Sequence, residues 1–376
     1  MTGPLTSLRV VEFCSLGPGP LVGQLLADLG ADVVSVDRCS GETADLTDVN
    51  RRNKRSVAVD LHKPEGVAAA RRLVGCADAL IEGFRPGVME RLGLGPEVCL
   101  AENPRLIYGR MTGWGQSGPL AQRAGHDINY LGITGALYAI GRPEEPPVPP
   151  LNLVGDFGGG SMFLAFGILA ALFERSKSGI GQVVDAAIVD GVPAMMGLLY
   201  GLMANGRWSE NRGRNLLDGG APFYRTYLTA DDRYIAIGSI EPKFFAELVR
   251  RAGMSDRELD IQNDPKQWPD MHARYAEIFR RRTSAEWMAL FEDGDACAAP
   301  VLTFSEAAEH PHNLARGTFI NPGGVLQAAP APRFGRTPAA RPRPPGAVGQ
   351  DTYAVLRECG VTDEEFLAWK IAGAFP

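Results

Sequence analysis

Residues 8–37 read LRVVEFCSLGPGPLVGQLLADLGADVVSVD, and they set the expected fold. The stretch joins two short apolar runs, LRVVEF (8–13) and DVVSVD (32–37), through a segment from Pro20 to Leu29. Short Val-rich runs bounded by Gly, Pro or charged residues are typical of buried parallel strands. Proline is favoured in the first turn of a helix. The stretch therefore predicts a strand–helix–strand unit.

The same alternation continues through the first third of the chain. Further strands are predicted at SVAVDL (56–61), ALIEGF (79–84) and LIYGRMT (106–112), with a helix at Pro64–Val74. Repeated strand–helix units indicate an α/β fold with a Rossmann-like open parallel sheet. We expect this sheet in a large domain of residues 1–186, to which residues 330–376 return.

The remainder of the chain has a different texture. Linker helices are expected over 187–221, and the runs FYRTYLT and RYIAIGS predict a hairpin within a smaller α+β domain at 222–320. Residues 321–346 are expected to form a Pro-rich extended connector. Capping boxes that open helices are predicted at Thr283–Glu286 and Thr362–Glu365.

Composition limits the classes of function. The chain has 376 residues, is 45% hydrophobic and 22% charged, and carries a net charge of −6. We therefore expect a soluble protein with neither a nucleic acid nor a membrane as partner. The sequence opens without a secretory pattern, so a cytoplasmic location is expected. The cysteines form no CxxC pair, which predicts free thiols and no zinc site: Cys14, Cys39, Cys76, Cys99, Cys297 and Cys359.

Two motif-like features do not support a cofactor. Gly17-Pro-Gly-Pro20 follows the first strand, but position 22 is Val and the next glycine is Gly23, so the dinucleotide fingerprint is incomplete. His310-Pro-His312 lacks the spacing of metal ligands, and no metal site is expected.

The basic run RRNKR (51–55) leaves two interpretations open. It is a solvated loop, or it joins Arg38, Arg85 and Arg91 at one edge of the sheet. Guanidinium groups bind phosphate in a forked geometry, so the second interpretation suits a polyphosphate ligand.

Three residues are candidates for chemistry. His126 lies in a loop of small and polar residues, and an imidazole exchanges protons near neutral pH. Asp156 precedes an apolar helix, where it is either an N-cap or a carboxylate beside backbone N–H groups that stabilise an enolate oxygen. Glu241, before Pro242, fits ordinary electrostatics at a helix start. The residues alone leave these alternatives open.

The helix after Asp156 is expected from about Gly158 to Glu174. Its longest apolar run, Met162–Phe173, is too short to cross a bilayer and indicates a buried helix.

Five segments in order are more specific than any one of these features. They are GFRPGVMERLGLG (83–95), MTGWGQSGP (111–119), AGHDINYLG (124–132), NLVGDFGGGSMF (152–163) and GQVVDAAIVDG (181–191). Together they resemble the family III CoA-transferase superfamily. Within it, the GHDINY and NLVGDFGGG segments resemble the α-methylacyl-CoA racemases, bacterial members most closely. The resemblance implies an acyl-CoA substrate, a place in fatty acid metabolism, and an interlocked homodimer. Each active site of such a dimer lies between the large domain of one subunit and the small domain of the other.

The resemblance also assigns roles by position. His126 and Asp156 become the acid/base pair that racemises a 2-methylacyl-CoA through an enolate, with Glu241 of the second subunit beside His126. His62 stands where similar proteins often have lysine, which puts a phosphate contact there in doubt. No metal or redox cofactor is implied, because the CoA arrives with the substrate. The CoA contacts fall on Arg38, Val59, Leu61, Gly83, Arg85, Arg91, Gly125, His126, Asp127, Ile128, Asn129 and Tyr130.

Two other functions stay open. A family III CoA-transferase would use Asp156 as a nucleophile and would leave His126 incidental. A non-catalytic CoA-binding relative would need neither residue for more than binding.

Overall fold

The computed structural model describes residues 2–13, 16–39 and 43–376. Cys14, one of the predicted free thiols, lies outside the described residues. Contacts divide the chain into two compact units. The first contains Met1–Thr134, Leu151–Met195 and Gly317–Pro376, and the second contains Gly135–Pro150 and Met196–Arg316.

The strands and the helices are numbered separately, each in chain order. The strands are β1 (Arg9–Phe13), β2 (Asp32–Asp37), β3 (Arg55–Ala58), β4 (Ala79–Glu82), β5 (Ile107–Thr112), β6 (Gln182–Ala187), β7 (Tyr224–Leu228), β8 (Tyr234–Gly238), β9 (Ala298–Val301), β10 (Phe319–Ile320) and β11 (Gln327–Ala328). The helices are α1 (Pro18–Asp28), α2 (Pro64–Gly75), α3 (Val88–Arg91), α4 (Pro96–Glu102), α5 (Asp127–Thr134), α6 (Ala136–Ala139), α7 (Phe163–Ser178), α8 (Ile188–Met195), α9 (Gly197–Ala204), α10 (Pro242–Arg251), α11 (Arg257–Ile261), α12 (Trp268–Phe279), α13 (Ser284–Phe291), α14 (Phe304–Glu309), α15 (Pro311–Arg316), α16 (Thr352–Glu358) and α17 (Asp363–Ile371).

Strands β1–β6 form one parallel sheet in the order β3-β2-β1-β4-β5-β6. β1 lies between β2 and β4, with Val10 opposite both Val33 and Ala79. The apolar residues of these central strands are buried, as expected where helices cover both faces of a parallel sheet. The α/β prediction is therefore confirmed. The strand order reverses between β1 and β4, and this switch point opens a crevice at the carboxyl ends of the strands.

The sheet differs from the prediction at two places. β3 ends at Ala58, so Val59 and Leu61 of the predicted strand lie beyond it. β6 (Gln182–Ala187) was not predicted as a strand. It is the edge strand beside β5, and Gln182 and Val183 are exposed, so it lacks the continuous buried run that marks the central strands.

The helix after Asp156 is longer and less buried than predicted. A π-helical segment, Leu153–Met162, runs directly into α7, which gives one continuous helix from Leu153 to Ser178. By length and composition alone this helix could cross a membrane, although a core helix of a soluble protein passes the same test. Leu164 and Ile168 are buried, whereas Phe166 and Phe173 are 72% and 66% exposed. The prediction of a buried helix is therefore wrong for one of its faces.

The second unit is built on the antiparallel strands β7-β8-β9. β7 and β8 form the predicted hairpin, and Asp232 in its turn has a φ of 56°. Aromatic side chains fill the core; the rings of Phe279 and Trp287, for example, lie edge to face with centroids 5.1 Å apart. The predicted capping box at Thr283–Glu286 opens α13.

The C-terminal segment belongs to the first unit and is attached to β3. The N–H of Ser56 donates to Asp351 Oδ2 (2.9 Å), and the N–H of Ala58 donates to Thr352 Oγ1 (3.0 Å). The predicted capping box at Thr362–Glu365 opens α17. These contacts place α16 beside the edge strand β3.

Candidate active site

A cavity of about 770 Å³ lies in the first unit at the carboxyl ends of the strands. Its walls include Leu16–Gly19 after β1, Asp37–Arg38 at the end of β2, Gly83–Pro86 after β4 and Met111–Trp114 at the end of β5. Ligands of open α/β sheets bind in this position, next to the reversal of strand order. The fold therefore puts the candidate site where its topology predicts one.

His126 and Asp156 both line this cavity, as predicted. His126 is exposed and immediately precedes α5. Its N–H donates to Asn129 Oδ1 (3.0 Å), and its carbonyl accepts from the N–H groups of Asn129 (2.8 Å) and Tyr130 (3.3 Å). The backbone of His126 is thus fixed by the first turn of α5, while its side chain is left for the cavity.

Asp156 does not cap a helix, so that interpretation is wrong. Helical structure begins at Leu153, and Asp156 lies in the first turn of the π-helical segment. The glycines that follow allow α8 to approach this segment closely. A Cβ at Gly159 would lie 2.6 Å from Val192 Cγ2, and one at Gly191 would lie 2.0 Å from the carbonyl oxygen of Gly159. π-Helical turns are rare and are frequent at functional sites.

The surroundings of Asp156 favour its protonated form. Burial and the charge of Asp127 raise its pKa and His126 lowers it, and together they bring that pKa to about 6. Aspartate normally titrates near 3.8. The carboxyl group is thus able to gain and lose a proton near neutral pH, which is the property expected of a general acid or base.

Asp127 occupies one of the backbone donors next to the Asp156 carboxyl group. The N–H of Asp156 donates to Asp127 Oδ2 at 2.6 Å. Asp127 Oδ1 is buried and has no partner among the residues that the structure describes. Gly155 makes this approach possible, since a Cβ there would lie 2.2 Å from Asp127 Oδ2. The N–H beside the catalytic candidate Asp156 is therefore not available to an enolate oxygen.

Free donors lie instead at the start of α5. The N–H groups of Asp127 and Ile128 begin this helix, and neither donates to any residue in the described ranges. The first N–H groups of a helix have no intrahelical acceptor and lie at the positive end of its dipole. Neither residue lines the cavity, but both adjoin His126, which does, so this helix start is the candidate donor group for a developing oxyanion.

The aromatic pair Trp114 and Tyr130 forms part of the cavity wall. Their rings lie edge to face with centroids 4.7 Å apart, and the Tyr130 hydroxyl donates to the carbonyl of Gly125. A Cβ at Gly113 would collide with the Tyr130 ring. Sequence reasoning did not single out Trp114, although it lies within the MTGWGQSGP segment.

Three arginines supply unpaired positive charge to the cavity. Arg38, Arg85 and Arg123 line it and are exposed, and their side chains form no hydrogen bond or salt bridge within the part of the chain that the structure describes. Sequence reasoning missed Arg123. Arg51 also lines the cavity and is paired with Asp37 (2.7 Å).

The rest of the basic run is neither a solvated loop nor a phosphate site. Arg52 is buried and donates to Asp28 and Gln327, and Lys54 is buried and donates to Glu12 (2.7 Å) and to the carbonyl of Pro20 (2.9 Å). Arg55 pairs with Asp32 and Glu358. Both interpretations were wrong for these residues because their partners lie far away in sequence.

Only some of the remaining residues that were predicted to contact CoA line the cavity. Gly83, Gly125 and Tyr130 line the cavity with His126 and the arginines above. The described walls do not include Arg91, Asn129, Asp127, Ile128, Val59 or Leu61. Val59 belongs to the hydrophobic core of the first unit and Leu61 packs against it.

Glu241 is not among the described residues that line the cavity. It belongs to the second unit, where it precedes α10, is exposed, and caps no backbone group with its side chain. None of the residues that line the cavity in the described ranges comes from that unit.

Similarity to known proteins decides the family. The model of the family described as CoA-transferase family III matches residues 5–352. The chain belongs to the family III CoA-transferases. This family III chain is 49% identical over 366 residues to the α-methylacyl-CoA racemase of Mus musculus. The alignment covers 96% of this chain and 95% of the relative. It is 46% identical over 364 residues to that of Homo sapiens, at 96% and 94% coverage.

A solved structure extends the likeness to three dimensions. A CaiB/BaiF family protein from Brucella suis superposes with a TM-score of 0.81 at 27% identity. The match covers 96% of this family III chain and 100% of the other. The α/β fold is therefore shared over nearly the whole length.

Proposed function

We propose that this family III chain racemises 2-methylacyl-CoA thioesters by removing and returning the proton beside the carbonyl. The observation that carries the proposal is the single cavity lined by His126 and Asp156, in which the pKa of Asp156 is raised to about 6. The similarity to two α-methylacyl-CoA racemases over nearly their full length supports the substrate class.

The proposed mechanism uses two groups on opposite faces of a planar enolate. In one direction the neutral imidazole of His126 takes the α-proton, and the protonated carboxyl of Asp156 donates to the other face. In the reverse direction the carboxylate is the base and the imidazolium is the acid. A pKa of about 6 makes both forms of Asp156 accessible near neutral pH. A thioester suits this chemistry because its carbonyl is less resonance-stabilised than that of an oxygen ester.

The enolate oxygen is proposed to accept from the start of α5. The N–H groups of Asp127 and Ile128 do not line the cavity in the single chain, but they are free donors beside His126, which does, whereas the N–H of Asp156 is engaged by Asp127. Fixed donors aimed at a developing negative charge lower the barrier because they need no reorganisation during the reaction.

The CoA moiety is proposed to bind through the cavity arginines. Arg38, Arg85 and Arg123 have free guanidinium groups, which suit phosphate oxygens. The contacts assigned by resemblance to Arg91, Val59 and Leu61 remain predictions. No resident metal or redox cofactor enters the mechanism, since CoA is part of the substrate.

The active form is proposed to be an interlocked homodimer. The exposed apolar side chains of α7 support this, since Phe166, Leu169 and Phe173 recur every three to four residues and form one apolar face. Glu241 of the partner subunit would then stand beside His126 and favour its imidazolium form. The proposed cytoplasmic location and role in fatty acid metabolism rest on the sequence alone.

Isotope exchange tests the proposed function. One enantiomer of a 2-methylacyl-CoA is incubated with the enzyme in deuterated water, and deuterium uptake at the α-carbon is followed together with optical purity. We expect uptake and racemisation to proceed together. Absence of both across several chain lengths would overturn the proposal.

The competing CoA-transferase function predicts a different result. Asp156 would attack the thioester carbonyl, form an aspartyl anhydride and release CoA thiolate. Inactivation by hydroxylamine that requires acyl-CoA, without deuterium uptake, would support that function instead.

A further inference from the structure

A second cavity, of about 480 Å³, lies in the first unit and shares no lining residue with the first. The C-terminal ends of two helices meet there. Cys76 follows α2 and Cys359 follows α16, 283 positions later in the chain. Cys76 is exposed and Cys359 is buried. Both cysteines line this one cavity, so two distant parts of the chain bring their thiols to the same place.

Two arginines lie near this pair, and each is also paired with carboxylates: Arg9 with Asp32 and Glu358, and Arg72 with Glu365. Arg9 Nη1 lies 3.6 Å from Cys359 Sγ, and Arg72 lines the cavity. The hydrogen bond from Cys359 is the main cause that lowers the pKa of Cys76, and Arg9 and Arg72 lower that pKa further against the effect of burial. The same hydrogen bond and burial raise the pKa of Cys359. Of the two sulfur atoms, the exposed one therefore has the lowered pKa and ionises more readily.

We propose that Cys76 and Cys359 are a hydroperoxide-responsive pair that closes to an intramolecular disulfide. The Cys76 thiolate attacks one oxygen of hydrogen peroxide, forms a sulfenic acid and releases hydroxide. The sulfur of Cys359 then attacks the Cys76 sulfur and displaces its oxygen as water. In total, two thiols lose two hydrogen atoms and one peroxide is reduced to two waters.

The disulfide would fasten α16 to α2. The C-terminal segment would then be held by a covalent bond to α2 as well as by the hydrogen bonds from Ser56 and Ala58 of β3. A cross-link across so long a loop restricts the unfolded chain strongly, so the oxidised protein should resist thermal unfolding. Racemase activity should be unchanged, because the pair does not line the first cavity.

Peptide mapping of the full chain under native conditions tests the pair. The protein is treated with hydrogen peroxide, alkylated and digested without reductant. We expect a peptide that joins Cys76 to Cys359, with a mass lower by two hydrogen atoms than the sum of its parts. The midpoint of thermal unfolding should rise by several degrees and return after reduction. Absence of the joined peptide, or its formation only between two chains, would overturn the proposal.

Single variants separate the two sulfur atoms. Cys359→Ser should leave Cys76 as a sulfenic acid that dimedone captures, whereas Cys76→Ser should leave Cys359 unmodified. Cys39 is the matched control, because it is exposed and its pKa is raised by burial. At pH 7 Cys76 should react with iodoacetamide about tenfold faster than Cys39. Equal rates at the two residues would contradict the assignment of Cys76 as the thiolate.

Discussion

The two helix starts at the first cavity solve opposite problems. α5 begins with ordinary α-helical winding, and its first N–H groups remain free beside His126. The segment that carries Asp156 begins with π-helical winding, and its N–H is engaged by the carboxylate of Asp127. One start therefore offers donors to a negative charge, whereas the other holds a carboxyl group whose pKa is raised.

The difference shows how one residue serves both starts. Asp127 contributes its N–H to the first turn of α5 and its side chain to the N–H of Asp156. The carboxylate of Asp127 also adds a negative charge next to Asp156, which makes ionisation of Asp156 less favourable. Asp127 thus takes part in both the proposed oxyanion site and the environment of the proton-transfer group Asp156.

The largest expected effect comes from removing the proton-transfer groups one at a time. His126→Asn and Asp156→Asn should each lower the racemisation rate by about 10³-fold. Each variant should keep α-deuterium uptake from one enantiomer only, and the two variants should keep opposite enantiomers, because the surviving base reaches one face. Proton NMR in deuterated water measures both rates. Asp185→Asn, outside the cavity lining, is the control and should behave like the wild type.

A pair of glycine substitutions compares the packing of the two helices. Gly159→Ala in the π-helical segment should destabilise the protein by about 1–3 kcal/mol, because the added Cβ would lie 2.9 Å from the backbone nitrogen of Val192. Gly132→Ala in α5 is the matched change, and nothing lies within 4 Å of its Cβ. It should stabilise the protein by about 0.5–1 kcal/mol. Urea unfolding measures both; similar effects of the two changes would contradict the comparison.

Ionisation of Asp156 should carry a cost in stability. The pKa of Asp156 is about 6 in the folded chain and near 3.8 for an ordinary aspartate. As pH rises, Asp156 therefore ionises at a lower pH in the unfolded chain than in the folded chain. The cost develops between these two values and is constant above the higher one. Asp156→Asn should therefore stabilise the protein by about 1–2 kcal/mol at pH 8, with allowance for partial exposure to solvent. The gain should vanish below pH 4; an equal gain at both pH values would exclude this origin.

The smallest expected effect separates burial from the charge of Asp127. Burial is the first cause of the raised pKa of Asp156, and Asp127 is the second. Asp127→Asn should lower the pKa of Asp156 only in part. For the enantiomer whose proton Asp156 removes, kcat falls as Asp156 becomes protonated at low pH, and the midpoint of that fall should move to lower pH. A pH profile of kcat for each enantiomer measures this midpoint. An unchanged midpoint would assign the shift to burial alone.

The central sheet and the two candidate residues could be predicted from the sequence. Strands such as β1 and β4 are marked by their own apolar residues, and the five ordered segments located His126 and Asp156. The edge strand β6 was missed because its exposed residues carry no continuous apolar run. Local composition thus identifies an element well where both of its faces are buried.

What the sequence could not supply depends on contacts between distant residues. The π-helical winding before α7 lies against α8, and the glycine run alone did not indicate it. The pairing of Arg52 with Asp28 also spans a long separation, so local charge suggested a loop or a ligand site instead. In both cases the decisive partner lies outside the window in which a motif is read.

The buried ion pair between Lys54 and Glu12 has a consequence for a third position. Gly23, on α1, faces both side chains, and a Cβ there would lie 1.6 Å from Glu12 Oε2 and 3.0 Å from Lys54 Nζ. Even alanine is excluded at position 23 unless the pair moves. The glycine at position 23 is thus required by two charged residues, one on β1 and one directly before β3. A salt bridge can fix the identity of a residue that takes no part in it.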